Sequence, residues 1–445
     1  MSGNTVAMNV SLASIIVLLL CNLTLSVVAT RQVDTSSNKN YPNINIKDAS
    51  TSNNVGQEQK KYDEHSNGNY SAHTTWQDIE KLLNDAVKQH IFPGAIALVG
   101  NKDGILFEKA IGSYTYGQKT PLGQPNQPLD STSSIFDMAS CTKVVSTTSA
   151  VALLFQNNSF GTSGLQTKVG SILGDEYNTN GKSDITIENC LLHNAGFPPD
   201  PTPYDFWDPK FGCKGAPLPI VPNFDCSARA YNAIVAQSLD RPVGASYVYS
   251  DISFITLMYV VGATAYNNNI VTKNDFINEC STASSDNVGL LYQCSYEAYV
   301  RKQVFEKLDM KHTAFLPPKD VHKNCVPTTI PTGEPKSVEN KCLQGYVNDG
   351  NAYMLGGIAG HAGLFSTVSD LSLLLNELMF NNQLFNETTV ALFTKQYNHT
   401  QSSRALGWNT NDITAQPDGG WDESCGTLSP ETFTHVGYTG SMFNL

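Results

Sequence analysis

The chain has 445 residues, of which 15% are charged and 40% apolar, so it can bury a large core and fold as one large or two interleaved domains. Its formal net charge of -12 leaves no basic stripe to neutralise phosphates, which argues against nucleic acid as a partner. No cysteine or histidine spacing matches a zinc site.

In chain order, residues 1–29 read as a signal peptide or an uncleaved membrane anchor. Ala13 to Ala29 is apolar, and Val27-Val28-Ala29 offers small residues at a cleavage position. No other stretch is long and apolar enough to span a bilayer. Residues 30–72 are polar and read as a disordered spacer. The sequons at Asn69, Asn157, Asn386 and Asn398 support a secretory route, which makes the protein secreted or lumenal. In such a compartment Cys213 with Cys226, Cys280 with Cys294, and Cys325 with Cys342 are natural local disulfide pairs, although spacing cannot fix connectivity.

From residue 73 the chain reads as folded. Trp76, Ile79, Leu82, Leu83, Ala86 and Val87 mark the apolar face of a helix that Pro93-Gly94 ends. Ala95 to Gly100 and Ile105 to Tyr116 read as two strands joined by an Asp103-Gly104 turn. Thr186 is a plausible cap for a short helix over 187–192. An apolar helix is expected from Ile252 to Ala263, then an Asn- and Ser-rich insertion over about 266–295, then a helix from Tyr296 to Met310. The glycine-dense stretch 354–367 does not run from a strand into a helix with phosphate-loop spacing, so close backbone packing explains it better than a nucleotide cradle. Ser369 or Asp370 would cap a helix through Leu378, and Phe433 to Gly437 reads as a strand.

The chemistry centres on Ser140-Cys141-Thr142-Lys143, at the start of a largely apolar helix. Three residues along a helix return the lysine to the face of the serine. A serine hydroxyl is a weak nucleophile until its proton is taken. A lysine could take it if burial at a helix N-terminus disfavours its charge. Ser36-Ser37-Asn38-Lys39 fits the same S-x-x-K pattern inside the polar tract, so the motif alone is weak. Cys141 reads as a small buried residue beside Ser140.

Two stations follow Ser140-x-x-Lys143 along the chain: Tyr249-Ser250-Asp251, then His435-Val436-Gly437. Alone, Tyr249 reads as an aromatic packed ahead of a buried helix, and His435 as a strand histidine. In series the three stations resemble the serine β-lactamase and penicillin-binding-protein superfamily, closest to its class C branch, which also holds esterases and D-amino-acid peptidases. Connecting stretches such as Leu191-Leu192-His193-Asn194-Ala195-Gly196 and Gly356 to Ser366 share the resemblance, which covers nearly all of 73–445.

The resemblance implies an α+β fold, with a mainly antiparallel sheet (73–135 and 350–445) and a mostly helical region (136–349). It implies that Ser140 is acylated, that Lys143 and Tyr249 manage its proton, that His435 adds a donor, and that the backbone amides of Ser140 and Tyr438 form an oxyanion hole beside Gly437. The substrate would be a small-molecule or peptide acyl compound, with no metal or organic cofactor. Asp251 stands where Asn is usual, pointing to an esterase-like or peptidase-like variant, and Val436 replaces a hydroxyl residue that helps β-lactamases hold a substrate carboxylate. Relatives continue through two more strands and a final helix. The resemblance therefore implies that these are missing here, and that either the chain is incomplete or the sheet has an open gap between its C-terminal and N-terminal strands. The other functional readings are a catalytically silent binder using the same cleft and a structural cell-surface glycoprotein.

Overall fold

The computed structural model describes residues 15–20, 75–213, 224–329, 342–411, 428–429 and 431–445. Its strands in chain order are β1 (Ile15–Leu20), β2 (Gly94–Asn101), β3 (Gly104–Gly112), β4 (Phe136–Asp137), β5 (Thr328–Thr329), β6 (Cys342–Leu343), β7 (Phe365–Ser366), β8 (Asn409–Thr410), β9 (Phe433–Val436) and β10 (Ser441–Asn444). Six of them form one antiparallel sheet in the order β3-β2-β1-β10-β9-β8.

The expected gap is therefore filled. β1 pairs on one side with β10 (Leu19 opposite Ser441) and on the other with β2 (Leu19 opposite Ile96). An extended segment in this slot satisfies two strand edges that would otherwise expose unpaired backbone groups. The rest of the leader or anchor expected over 1–29, the spacer at 30–72 with its Ser36–Lys39 motif, and Asn69 lie outside the described residues.

The helices that matter here are α1 (Trp76–Lys88), α2 (Ser149–Gln156), α3 (Asp251–Asn267), α4 (Val288–Val300) and α5 (Val368–Asn376). β2 is buried on both faces. Ala95 and Ala97 face α1 with Leu83 and Ile111, while Ile96 and Leu98 join the main core with the helical region. Small residues on one face and large ones on the other fit a strand covered on both sides. α3 is apolar all round and buried along most of its length, as suits a helix at the centre of a bundle. Gly262 lets it meet α4 closely, since a Cβ there would come within 1.8 Å of the Tyr292 carbonyl.

Several expectations need correction. α4 begins at Val288, capped by the Asn287 side chain, so Cys294 lies inside a helix and not in an insertion. The cap of α5 is Thr367, whose hydroxyl accepts from the Asp370 amide. Cys213–Cys226 and Cys280–Cys294 are disulfides, but Cys325 and Cys342 are free. The β5–β6 register places Cys342 opposite Thr329, with Cys325 buried before that ribbon begins. Asn157, Asn386 and Asn398 are exposed. No helix among the described residues is long and apolar enough to cross a membrane.

Candidate active site

The nucleophile turn is held before its helix begins. Asp137 in β4 accepts from the amides of Ala139 (2.8 Å) and Asn348 (2.6 Å), while its carbonyl accepts from the Thr439 hydroxyl (2.6 Å). Burial pushes the Asp137 carboxyl up to about 7, against the N–H bonds that favour its charge. Ala139 adopts φ 43°, a left-handed conformation that a non-glycine residue takes only when its surroundings impose it. Ala139–Cys141 then forms a single 3-10 turn, followed by a wider π-helical stretch over Lys143–Thr148 that leads into α2. Cys141 is fully buried, and burial pushes its thiol up to about 12, so it is an inert neighbour of Ser140.

Lys143 is fully buried, and its ammonium donates to Ser140 Oγ and the His361 carbonyl, each at 3.0 Å, and pairs with the Asp251 carboxylate at 2.8 Å. Burial disfavours its charge, but Asp251 and Tyr249 outweigh burial and raise its pKa above the ordinary lysine value. This direction runs against a lysine made neutral by burial, one of the two roles open to Lys143, and agrees with the other, a cation beside Tyr249. Asp251 stands in the first turn of α3, where the helix N-terminus also favours a carboxylate.

A further pair lies behind Asp251. His361 is fully buried and its Nε2 is 2.9 Å from Asp349 Oδ1. An imidazole nitrogen of His361 and carboxylate oxygens of Asp251 and Asp349 all lie within 4.8 Å of one another. Burial opposes the charge of His361, yet Asp349 and Asp251 outweigh it and raise its pKa. Burial likewise opposes the charge of Asp349, but His361 draws its pKa well below the usual carboxylate range. Because Lys143 and His361 already sit against these carboxylates, the group is better described as an internal chain of charges than as a metal-ligand set.

The Tyr249 loop is clamped by His193. The His193 carbonyl accepts from the Val248 amide (2.9 Å), its Nδ1 accepts from the Ser250 amide (3.0 Å), and its ring lies 4.6 Å from the Tyr249 ring. Ser250 Oγ donates to the Pro198 carbonyl, fixing the same loop from below α3. Two cations face Tyr249: Lys143 Nζ lies 4.9 Å from its ring centroid and the Arg404 guanidinium 5.4 Å away. Burial, then Arg404 and Lys143, press the His193 pKa well below its ordinary value.

The end of β9 closes against the nucleophile turn. A Cβ on Gly437 would come within 2.2 Å of Ser441 Oγ and 2.5 Å of the Met138 carbonyl, so only glycine lets the two segments meet. His435 is buried, its Nδ1 lies 2.9 Å from the Val436 carbonyl, and burial with Arg404 and Lys143 depresses its pKa well below the ordinary value. Val436 and Tyr438 are exposed beside it.

The structure thus gathers Ser140, Lys143, Asp251 and Tyr249, and brings β9 with His435 and Gly437 to the same turn. Sequence reasoning passed over His361, Asp349, His193 and Arg404 as functional groups. The one signal available for two of them was a histidine in each of the connecting stretches that carry the resemblance. A cavity of about 500 Å³ lined by Phe276, Phe315, Leu316, Tyr346 and Met354 lies apart, and none of the site residues lines it.

Known proteins point the same way. A family model described as Beta-lactamase matches residues 79–270 and 288–444. A protein of Escherichia coli O157:H7, provisionally assigned as a D-alanyl-D-alanine carboxypeptidase, is 26% identical over 370 residues, spanning 79% of this chain and 75% of its own. The fold is similar to that of EstCE1, described as a hydrolase with promiscuous acyltransferase activity (TM-score 0.54, 14% identity, 82% of this chain and 92% of that one). It is also similar to a class C β-lactamase (TM-score 0.51, 14% identity, 84% of this chain and 94% of that one). With its fold, its three stations in order and a family match over most of its length, the chain belongs to the β-lactamase family of serine hydrolases.

Proposed function

We propose that the protein is a secreted or lumenal serine hydrolase that transfers an acyl group from an ester or amide to Ser140 and then to water. The observation that carries this reading is the Lys143 ammonium 3.0 Å from Ser140 Oγ, with Asp251 fixing it from the other side at 2.8 Å. As a cation, Lys143 offsets negative charge developing on Ser140 Oγ but does not take its proton. The proton passes by way of the Tyr249 hydroxyl, beside the Lys143 and Arg404 cations. Ser140 Oγ attacks the acyl carbon, and the alkoxide that forms is met by the amides of Ser140 and Tyr438. Tyr249 returns its proton to the leaving group, and water then cleaves the acyl-serine by the same path in reverse. His435, buried and neutral, borders the site with its Nδ1–H on the Val436 carbonyl, which leaves Nε2 as an acceptor. Two disulfides fit an oxidising compartment.

Esters and D-amino-acid peptides are favoured over penicillins, because Val436 offers no hydroxyl to a substrate carboxylate. The test is a side-by-side turnover panel of a p-nitrophenyl ester, a peptide ending in D-Ala-D-Ala and a penicillin, with Ser140→Ala as control. Serine-dependent turnover of the ester or peptide above the penicillin supports the reading. Penicillin as the best substrate would overturn the specificity, and turnover unchanged in Ser140→Ala would overturn the mechanism. A silent binder would retain a cleft ligand with no turnover of any of the three.

A further inference from the structure

Asp251 raises a charge problem. A carboxylate beside a fully buried lysine, with that ammonium as its only counter-ion, would draw it away and compete with Ser140 for it. The structure contains a second cation for Asp251. The His361 ring lies with Asp251 and Asp349 inside a 4.8 Å group, its Nε2 2.9 Å from Asp349. Along the line from Ser140 basic and acidic groups alternate: the Lys143 amine, the Asp251 carboxyl, the His361 imidazole and the Asp349 carboxyl. With both bases protonated and both carboxyls ionised, the four sum to zero.

The backbone fixes both ends of this line. The His361 carbonyl accepts from Lys143 at 3.0 Å, so one residue meets the lysine by its main chain and faces Asp251, within 4.8 Å, by its ring. Gly360 presses the segment onto α3, where a Cβ would come within 2.2 Å of the Phe254 carbonyl. Asp349 caps the short helix Gly350–Met354, its Oδ1 accepting from the Ala352 amide at 2.7 Å. The charged groups facing His361 are Asp349 from that cap, Asp251 from α3, Lys143 from the nucleophile helix and Asp200 from the loop after His193, whose carboxyl burial pushes up to about 7.

We propose that His361, as an imidazolium held by Asp349, is a positioning residue: it supplies the second positive charge that Asp251 needs and so leaves the Lys143 ammonium directed at Ser140. This rests on the acyl-transfer reading above for its consequence, but not for its geometry. It also accounts for Asp251 standing where the family resemblance leads one to expect Asn. With Asn at 251 the imidazolium would have no negative partner there to balance.

Two measurements test it. The first is the titration of His361 in histidine-labelled full-length protein followed by NMR, with the resonance identified by its loss in His361→Asn or, should that variant not fold, by through-bond assignment. In the wild type His361 should titrate above 6.5, the ordinary histidine value, and its midpoint should fall in both Asp251→Asn and Asp349→Asn. An unchanged midpoint in Asp251→Asn overturns the proposal, whatever the enzyme does.

The second is the rate of Ser140 labelling by a fluorophosphonate as a function of pH. His361→Asn keeps the backbone carbonyl that meets Lys143, so it reports the ring alone. In the wild-type background it should slow labelling about 10-fold and shift the pH profile, whereas in the Asp251→Asn background it should change the rate no more than about 2-fold. Equal losses in both backgrounds, with no shift of profile, would reduce His361 to a packing residue. Absence of Ser140 labelling in the wild type at every pH would sink the acyl-transfer reading instead, while the NMR midpoint would still decide the pairing of His361 with Asp251.

Discussion

His361 and His435 are both buried and both feel the charge of Lys143, yet they titrate in opposite directions. Burial lowers the proton affinity of each. What differs is the company. Asp349 and Asp251 flank His361 and more than offset burial, whereas Arg404 and Lys143 add to burial at His435. One residue type, at one depth, thus has its proton affinity raised on one side of the nucleophile and lowered on the other. The comparison teaches that charge at this site is set by which segments the fold brings in, not by burial alone. The carboxylate side is built from α3 and the Asp349 cap, the neutral side from β9 and Arg404.

The largest way to break the contrast is to remove the cation both sides share. Lys143→Met should slow acylation by about 100- to 1,000-fold, the range for losing one preorganised donor that offsets developing negative charge. It should also destabilise the fold by about 3–5 kcal/mol, because Asp251 loses its nearest partner in a buried site. Urea unfolding and single-turnover acylation measure the two effects. Restoration of stability, but not rate, in Lys143→Met/Asp251→Asn would separate them.

Gly437→Ala probes the neutral side without touching a charge. The added Cβ must displace the Met138 carbonyl or Ser441, a cost of about 1–3 kcal/mol of overpacking. Because Gly437 borders the nucleophile turn, we expect acylation to fall with little change in the His361 midpoint. Equal disturbance of both would mean that the two sides are not independent.

Smaller in effect is the pH dependence of stability, which sharpens the contrast. The raised His361 pKa contributes stability that is complete below its unfolded value near 6.5 and is lost as pH rises through the higher folded value. The depressed pKa of Asp349 contributes stability present above its unfolded value near 3.8 and lost as pH falls through the lower folded value. His435 works the other way from His361. Below about 6.5 the unfolded chain binds a proton that the folded chain refuses, so stability falls with acid. Urea midpoints across pH should therefore show an alkaline decline that His361→Asn removes and an acid decline that His435→Asn softens. A single limb answering to both variants would contradict the opposite charges.

Much of this was legible in the sequence, and the failures are informative. The helix of α1, the β2–β3 hairpin, α3 and β9 follow from apolar period and turn residues, which are local signals. The three stations were legible because each is a short motif whose order along the chain carries the resemblance. Arg404 and Asp349 have no motif. Arg404 matters through its approach to Tyr249, more than a hundred residues away in the chain, and Asp349 through its pairing with His361. His361 was visible, but its glycine-rich setting reads as close packing, which it also is. Which of its two expected roles Lys143 takes was not legible, because burial can be guessed from an apolar helix, whereas the distance to Asp251 cannot. Cys325 and Cys342 illustrate the same limit: their spacing permits a disulfide, and the β5–β6 register refuses it. The slot between β2 and β10 was foreseen as a gap because its occupant, β1, comes from a segment that reads as a leader.

The central claim is that Ser140 is an activated nucleophile. Its most direct test is intact mass after exposing the folded protein to a fluorophosphonate, beside a Ser140→Ala control. One adduct per chain that disappears in the control is the predicted result. A folded protein that takes up no adduct, or one that labels equally without Ser140, would contradict it.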